Sequence, residues 1–467
     1  MPRRERSLLK RPYDPAVATG KIMKETKMTK RRYALCGLST RGLSHFALPL
    51  LGLNRESGPN FDTHAELVGI LDLDAERVTA FLDKVGRSVP SYRPEEFPRM
   101  IAETRPDVVL VATPDYSHAE YIVQGLLAGC DVIAEKPMVI SCEQVRQVQA
   151  AEKKSGRTLR VAFNYRYTPT HQRLKRMILG GELGRITNVE FTYNLDTFHG
   201  SSYFYRWNRE RAKSGGLNFH KCCHHFDLVN WWLGDMPEEV FAFGARNYYG
   251  PNGALRPRDA QDRPLGPAEE KRNCPVFRKH YADTLNPAAN EITTGWDEFD
   301  LPYTVQYPPE QRRYIYDNDI DIEDTYSVVV RYRTGTSLTY SCNFCTPWEG
   351  YIIGINGTKG RVEIVNRTNP DPTGKTNPAA ETGLITFYPL FGGKQLIEIA
   401  PVTGGHGGAD FTIQRDLFDQ VSNTSRELNL VAGSAEGASS VAISEAVWRS
   451  IVTKRLVNVA ALLQGTE

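Results

Sequence analysis

Several features that would narrow the class of this protein are missing from its sequence. It contains no run of about 18 apolar residues, so we expect no membrane-spanning segment. Its 8 cysteines in 467 residues are too sparse for a disulfide scaffold, which favours a reducing, cytoplasmic setting. Cys342 and Cys345 form a Cys-x-x-Cys pair. No second pair accompanies them, which argues against a structural zinc site.

Outside the N-terminus, positive charge is slightly outnumbered by negative charge. Residues 1–32 carry 11 of the 57 Lys and Arg residues but only 3 of the 55 Asp and Glu residues. The remaining chain is therefore mildly acidic, which argues against a nucleic-acid partner. Residues 1–31 also lack an apolar stretch, so a secretory signal is not expected. We interpret them as a basic, disordered tail, or as an extension ahead of a start at Met28.

Strand and helix patterns alternate from residue 32 to residue 158, which predicts an α/β Rossmann domain with a parallel sheet. Apolar runs predict strands at 33–37, 66–71, 107–113 and 131–135, and one more at 159–163. Apolar residues at helical spacing predict the intervening helices at 74–86, 117–129 and 142–155. The order of elements implies right-handed crossovers between parallel strands.

Residues 159–467 have a different pattern, which predicts a second α/β domain with a large, open and mostly antiparallel sheet. Alternating apolar residues predict seven strands, at 186–194, 326–333, 336–344, 351–356, 360–365, 383–389 and 394–400. Helices are predicted near 169–180, 220–233, 410–422 and 434–463. Residues 244–325 have no regular pattern, and so long an insertion indicates a lid or an oligomer contact.

A glycine-containing loop follows the first predicted strand. Gly37-x-Ser39-x-x-Gly42, with Thr40 and Arg41 inside it, has the position and spacing of a dinucleotide-binding turn, in which backbone N–H groups at a helix start face a pyrophosphate. Ser39 replaces the middle glycine of that fingerprint. An ordinary strand-to-helix turn is the alternative interpretation.

Asp72 closes the second predicted strand. A carboxylate at that position can accept hydrogen bonds from both ribose hydroxyls of an adenosine, and its charge would repel a 2′-phosphate, so NAD is favoured over NADP. Alternatively, Asp72 only caps the helix that begins near Asp74.

Two runs carry a specific resemblance to a known family. Ala112-Thr113-Pro114-Asp115-Tyr116-Ser117-His118 and Glu135-Lys136-Pro137 resemble the Gfo/Idh/MocA oxidoreductases. The resemblance implies a Rossmann domain joined to an α/β domain whose open sheet mediates homo-oligomers. It also places Lys136 beside the nicotinamide and the reacting carbinol. The further cofactor-binding residues that it implies are Thr113, Pro114, His118, Glu135, Asn164 and Arg166.

A histidine-rich segment follows Gly215-Gly216. The family has an Asp four residues before a His on this helix; His224 matches the His, and His220 stands at the Asp position. His220, His224 and Asp227 are spaced to share one helix face, which suits substrate hydroxyls, a divalent metal ion or a packed core. The other candidate substrate contacts are Tyr165, Arg206, Trp207, Lys221, His225 and His406, the last with a glycine-rich turn capped by Asp410 as its alternative.

These patterns predict an NAD-dependent oxidoreductase that transfers a hydride to or from a ring carbon of a sugar, cyclitol or glycoside. Lys136 is the predicted acid/base, His224 its partner and His220 a further contact. An alternative is an NAD-dependent glycosidase, in which C3 is transiently oxidised, the aglycone is eliminated and the ketone is reduced again with a tightly bound, recycled cofactor. A non-catalytic sensor of sugar or dinucleotide is a third possibility.

Overall fold

The structure, a computed structural model, describes residues 29–54, 58–265, 267–276, 314–368, 383–400, 402 and 405–466. Most of the predicted basic tail therefore lies outside the described residues. Among the described helices, none is long and apolar enough to cross a membrane.

The first sheet is the Rossmann sheet. Its strands are β1 (Arg31–Cys36), β2 (Ala65–Leu71), β3 (Ser91–Tyr92), β4 (Val108–Val111), β5 (Asp131–Ala134), β6 (Leu159–Val161) and β15 (Ala432–Gly433), in the order β15-β6-β5-β4-β1-β2-β3. All neighbours are parallel except β15 and β6. The sheet thus continues past residue 158, where we predicted the domain boundary, because β6 pairs with β5.

The helices that cover this sheet are α1 (Leu48–Leu50), α2 (Ala75–Val85), α3 (Phe97–Thr104), α4 (His118–Leu127) and α5 (Cys142–Ser155). Of these, α2, α4 and α5 lie where the apolar periodicity predicts helices, whereas α3 was not predicted. α5 begins at Ser141, whose side chain accepts a hydrogen bond from the Gln144 N–H, and ends at Gly156. Local caps and buried strands such as β4 therefore account for this half of the fold.

The second sheet contains β7 (Ile186–Asp196), β8 (Pro237–Ala245), β9 (Thr325–Tyr332), β10 (Ser337–Thr346), β11 (Glu349–Gly357), β12 (Gly360–Thr368), β13 (Gly383–Pro389), β14 (Gln395–Ile399) and β16 (Val457–Asn458). Their order is β14-β13-β12-β11-β7-β10-β9-β8-β16. The prediction of a mostly antiparallel sheet is confirmed, with one parallel pair, β7 and β10. β8 was missed because much of its length alternates only weakly.

The helices of this second half are α6 (Pro169–Leu179), α7 (Thr197–Tyr205), α8 (Arg211–Ser214), α9 (Leu217–His220), α10 (Cys223–Leu233), α11 (Pro267–Asn273), α12 (Ala409–Phe418), α13 (Asn423–Leu428), α14 (Ser434–Thr453) and α15 (Val459–Gln464). The prediction of one helix over 434–463 is wrong. Lys454 adopts a left-handed conformation that ends α14, and β16 then pairs with β8 before α15 begins.

The predicted insertion at 244–325 is anchored at both described ends. The Asp324 carboxylate accepts hydrogen bonds from the backbone N–H groups of Asn247, Tyr248 and Tyr249. The fully buried Arg209 forms ion pairs with Asp317 and Asp319 on the returning segment. Residues 277–313 lie outside the described part, so a role as lid or oligomer contact stays a prediction.

Candidate active site

The loop after β1 depends on glycine at two positions. Gly37 has φ +92°, and a Cβ there would lie 2.7 Å from backbone atoms of Ala112 and Thr113. A Cβ on Gly42 would collide with the Gly37 carbonyl oxygen. Ser39, at the middle position, donates to the Ala112 carbonyl (2.9 Å) and accepts from the Gly42 N–H (3.1 Å). The loop therefore brings the end of β1 against the end of β4.

Asp72 lies beside this loop at the end of β2. Its Oδ2 accepts a hydrogen bond from the Leu38 N–H (2.6 Å), and its Oδ1 accepts one from the Asp74 N–H (2.9 Å). Asp74 itself caps α2 through the Arg77 N–H. The alternative in which Asp72 caps that helix is therefore wrong, because Asp74 does so.

Lys136 follows β5, at the carboxyl edge of the first sheet. Its Nζ donates a hydrogen bond to the His220 carbonyl oxygen (3.1 Å), which joins the Rossmann strand to α9 of the second half. Burial, together with the charge of Lys221, lowers the pKa of Lys136 below its ordinary value. A lysine in this state can donate or accept a proton closer to neutral pH than a surface lysine can.

The segment around His118 supports this lysine. The two ring nitrogens of His118 lie 2.9 Å from the Thr113 carbonyl oxygen and 2.8 Å from the Pro137 carbonyl oxygen. Pro114 begins the turn between them and precedes Asp115. His118 thus holds the ends of β4 and β5 together rather than pointing into open space.

His220 pairs with a carboxylate that we had not assigned to the site. Its Nδ1 lies 2.6 Å from Oδ2 of the buried Asp115. Burial raises the pKa of Asp115 to about 7, and burial followed by the charge of Lys136 lowers the pKa of His220. Both shifts favour the neutral forms, so the pair can hold or release a proton near neutral pH. Asp115 lies in a motif that we recognised, but its partner is 105 residues away.

The structure corrects the predicted helix face. α9 ends at His220 and α10 begins at Cys223, so His220 does not share a continuous helix with His224 and Asp227. Asp227 instead accepts two hydrogen bonds from Arg166 (2.8 and 2.6 Å), and both side chains are 1% exposed. The described residues contain no group of three or more His, Cys, Asp or Glu that could hold a metal ion.

This ion pair gives Arg166 and Asp227 a structural role, in place of the cofactor and metal roles predicted for them. We expect Arg166→Met to lower the free energy of unfolding by about 3–5 kcal/mol, because it leaves a buried carboxylate unpaired. Urea denaturation measures this. Arg99→Met is the matched control: Arg99 is 62% exposed and pairs with Glu96 and Glu103, so a change of at most about 1 kcal/mol is expected. A raised KM for NAD at unchanged stability would instead support cofactor binding by Arg166.

The two adjacent histidines of α10 have different surroundings. The ring of His224 stacks on that of Tyr165 (centroids 4.3 Å apart), and within the described part its buried Nδ1 has no hydrogen-bond partner. His225 is fully buried; it stacks on Tyr193 and its Nδ1 lies 2.7 Å from the Tyr340 hydroxyl. His224 therefore belongs to the site, whereas the prediction of His225 as a substrate contact is wrong, because it packs against the second sheet.

Aromatic side chains surround His220. The rings of Tyr203 and Trp207 meet the His220 ring edge-on, with centroids 5.4 and 5.5 Å away. The guanidinium of Arg206 lies over the Tyr203 ring (5.2 Å) and donates to the Ser202 carbonyl oxygen and hydroxyl. The two candidates from this segment, Arg206 and Trp207, thus lie together with Tyr203 around His220.

A further chain of polar groups leads to Tyr203. His199 Nε2 lies 2.9 Å from the Tyr203 hydroxyl, and His199 Nδ1 lies 3.0 Å from each oxygen of Glu349. Burial alone would raise the pKa of Glu349, but the charge and hydrogen bond of His199, together with the charge of Lys221, contribute to lowering it. The sequence analysis missed His199 and Glu349, because the contact joins α7 to the start of β11, 150 residues apart.

An ionic cluster joins the Gly37–Gly42 loop to residues 405–410. Arg41 Nε lies 3.0 Å from Glu135 Oε1, and an Arg41 terminal nitrogen lies 3.5 Å from Asp410 Oδ1. Asp410 also accepts hydrogen bonds from the Asn164 amide (2.8 Å) and His406 Nδ1 (2.8 Å). Asp410 does not cap α12, whose N-cap is Gly408. Asp410 connects the predicted residues Arg41, Asn164 and His406. No local sequence pattern predicts these contacts.

Comparisons with known proteins agree with this arrangement. Residues 31–163 match the family model described as "Oxidoreductase family, NAD-binding Rossmann fold", and residues 175–459 match the one described as "Oxidoreductase family, C-terminal alpha/beta domain". The chain belongs to the Gfo/Idh/MocA family. The resemblance that the sequence motifs indicated is thereby confirmed, and the N-terminal domain is an NAD-binding Rossmann domain.

Individual relatives range from close to distant. YteT of Bacillus subtilis (strain 168), a protein named as an oxidoreductase, is 41% identical over 442 residues, covering 93% of this chain and 99% of YteT. D-glucoside 3-dehydrogenase of Escherichia coli (strain K12) is 32% identical over 121 residues, 26% of this chain and 34% of that protein. A levoglucosan dehydrogenase, solved with NADH and levoglucosan, shares the fold (TM-score 0.61, 17% identity, 92% of this chain and 100% of that one).

The described residues fit the dinucleotide that this family binds. Gly37 and Gly42 carry no Cβ that would force the loop away from β4, so the loop leads directly into the helical segment that starts at Gly42, where backbone N–H groups can face a pyrophosphate. Each carboxylate oxygen of Asp72 accepts one hydrogen bond and can accept another from a group bound next to that loop. The buried Oε2 of Glu135 has no hydrogen-bond partner in the described part, so it can accept one from a bound group. The Gfo/Idh/MocA assignment and the local geometry therefore agree on NAD.

Proposed function

We propose that this protein is an NAD-dependent oxidoreductase that transfers a hydride between a ring carbon of a sugar, cyclitol or glycoside and the nicotinamide. The observation that supports this most directly is the contact between Lys136 and the His220 segment, at the carboxyl edge of the parallel sheet. Catalytic groups of open α/β sheets gather at that edge. When bound, NAD supplies the hydride acceptor; the protein's own residues supply the proton transfer and the orientation.

Lys136 is the proposed acid/base. Oxidation of a secondary alcohol requires loss of its hydroxyl proton, and the lowered pKa of Lys136 lets the free amine exist closer to neutral pH. In the reverse direction the ammonium returns the proton and stabilises the alkoxide. Gly37, Ser39, Thr40, Arg41, Gly42, Asp72, Thr113, Pro114, Glu135 and Asn164 form or support the proposed cofactor-binding surface.

His224 and His220 are the proposed hydroxyl contacts. The unpartnered Nδ1 of His224 is available to a ligand, and the stacked Tyr165 fixes the plane of its imidazole. Asp115 orients the His220 ring through the 2.6 Å contact. A carbohydrate substrate is also supported by the name of the related D-glucoside 3-dehydrogenase, although the match covers a minor part of that protein.

The test begins with the purified protein as isolated. Denaturation followed by chromatography shows whether a dinucleotide copurifies, and NADH formation is then followed at 340 nm with a panel of sugars, cyclitols and glycosides. Reduction of NAD by one of these is expected. Absence of both dinucleotide binding and NADH formation would contradict the proposal.

Asp115→Asn tests the role of Asp115 as a positioning residue. We expect kcat to fall by about 10- to 100-fold. In a plot of kcat against pH, we also expect the rise through about pH 7 to disappear, because an amide cannot ionise and take up the His220 proton. The kcat–pH profile measures this. Asp83→Asn, an exposed carboxylate on α2, is the matched control; loss of rate with an unchanged profile would contradict the role.

A second candidate, the redox-type glycosidase, is supported by the Glu349–His199–Tyr203 chain. Glu349 orients His199, and the His199 imidazole, which contacts the Tyr203 hydroxyl beside His220, is the candidate base. Acting through the Tyr203 hydroxyl, this base could remove the acidified C2 proton of a 3-keto glycoside before the aglycone leaves. Release of nitrophenol from nitrophenyl glycosides without added NAD, abolished by Tyr203→Phe, is the expected result for this candidate. NADH formation alone would contradict it.

Homo-oligomerisation, tight cofactor binding and a cytoplasmic location stay predictions. The first is supported by large apolar side chains exposed on the second sheet, among them Phe243, Val329, Val365 and Leu396. Sedimentation velocity measures it directly.

A further inference from the structure

Lys221 is a buried cation that forms no ion pair with a carboxylate within the described part of the chain. It is 6% exposed and lies directly after α9. Its ammonium has one hydrogen-bond contact there, a long one of 3.5 Å to the Tyr165 hydroxyl. Its Nζ lies over the rings of Tyr193 (5.1 Å) and Tyr165 (5.9 Å). At least two of the three N–H donors of the Lys221 ammonium therefore have no hydrogen-bond acceptor among the described residues.

In the described part of the chain, each of the other buried Lys and Arg residues has a carboxylate or carbonyl partner, although Nε and Nη1 of Arg209 have none. Arg166 is held by Asp227, and Arg209 by Asp317. The buried Lys175 donates to the carbonyl oxygens of Trp231 and Trp232. Removing an ammonium from water without such partners has a large free-energy cost. The position of Lys221 in the site indicates that an anionic ligand pairs with its ammonium.

Lys221 faces the proposed reaction site. Its backbone carbonyl accepts the His224 N–H (3.3 Å), and its ammonium contacts Tyr165, the ring on which His224 stacks. Although burial opposes it, the negative charge of Glu349 contributes to raising the pKa of Lys221, so the side chain stays an ammonium.

Positive charge exceeds negative charge around this space. Two further cations, Lys136 and Arg206, lie near enough to act on the same groups. The charge of Lys221 lowers the pKa of Lys136, and the charge of Arg206 lowers the pKa of His220. Three carboxylates act on this space, and each already has a partner: Glu135 pairs with Arg41, Asp115 contacts His220, and Glu349, whose charge also acts on Lys221, contacts His199. A neutral sugar would leave the excess charge uncompensated.

We propose that Lys221 binds a carboxylate of the substrate, so that the site takes an acidic sugar, namely a uronic acid or its glycoside. The proposal rests on the proposed function, because it names the substrate class of the same site. A carboxylate is favoured over a phosphate because Lys221 offers one compact charge, whereas a phosphate dianion is usually bound by several donors or by a guanidinium fork. The Arg206 guanidinium is folded back onto Ser202.

The test compares matched pairs of substrates with NAD present. The pairs are methyl glucuronide with methyl glucoside and methyl galacturonide with methyl galactoside, with glucose 6-phosphate as a third class. We expect a uronide to have a kcat/KM at least about tenfold above that of its neutral partner. In Lys221→Met that ratio should fall by about 10- to 100-fold, whereas Lys221→Arg should retain most of it. Lys153→Met, an exposed lysine on α5, should leave the ratio unchanged.

Three results would overturn the proposal: no preference for either uronide, a preference for the sugar phosphate, or an unchanged ratio in Lys221→Met. If no sugar is oxidised, calorimetric titration of the NAD-loaded protein with each methyl uronide separates the two proposals. Binding that Lys221→Met abolishes would support the carboxylate site while the oxidoreductase proposal fails. Absence of binding of both uronides to the unaltered protein would overturn the carboxylate site as well.

Discussion

Lys136→Met is expected to lower kcat for NAD reduction by about 10³-fold, within the usual contribution of a positioned acid/base. Methionine keeps the length and much of the apolar contact of the lysine stem, but it can neither take the hydroxyl proton nor stabilise an alkoxide. KM for the sugar should change much less than kcat, because the missing interaction strengthens mainly in the transition state. Stopped-flow measurement of a single turnover isolates this step from product release.

The control for this variant is cofactor binding. NADH fluorescence titration should give a Kd within about threefold of that of the unaltered protein, a free-energy difference below about 1 kcal/mol. Lys153→Met should show neither effect. Full turnover by Lys136→Met would exclude Lys136 as the acid/base, and loss of NADH binding would indicate that the lysine mainly supports the fold.

Gly37→Ala is expected to abolish most NAD binding, with an affinity loss of about 100-fold or more. The added Cβ would lie 2.7 Å from backbone atoms of Ala112 and Thr113, which cannot move aside without separating β1 from β4. The positive φ of Gly37 adds a conformational penalty. We expect the free energy of unfolding to fall by about 2–5 kcal/mol, from strain and overpacking together. NADH titration and urea denaturation measure the two effects.

Gly129→Ala separates these two causes. Gly129 has φ +87°, close to the +92° of Gly37, but a Cβ there would meet nothing within 4 Å. This variant should show the conformational penalty alone, about 1–2 kcal/mol, with normal NADH affinity. Equal behaviour of the two variants would show that the contact with β4 is not the reason for glycine at position 37.

Features that depend on neighbours in the chain could be predicted. The buried run of β4, the cap at Ser141 and the Gly37–Gly42 turn each express a preference that acts over a few residues. The Glu135-Lys136-Pro137 motif identified the family for the same reason, because its residues are contiguous. Helix breaks were harder: nothing in the apolar pattern shows that α9 ends at His220 or that α14 ends at Thr453.

Pairings between distant residues could not be predicted in this way. Arg166 and Asp227 were each recognised as candidates, yet their ion pair removes both from the site, and Asp115 enters it only through His220. The energy of such a contact depends on burial and on a few ångströms of separation, and neither is encoded by spacing along the chain. Composition, periodicity and contiguous motifs thus predict the two-sheet architecture and the family, and they single out Lys136 as the proposed acid/base. The packing of the two halves against each other determines which of the remaining polar side chains line the proposed site and which neutralise one another in the core.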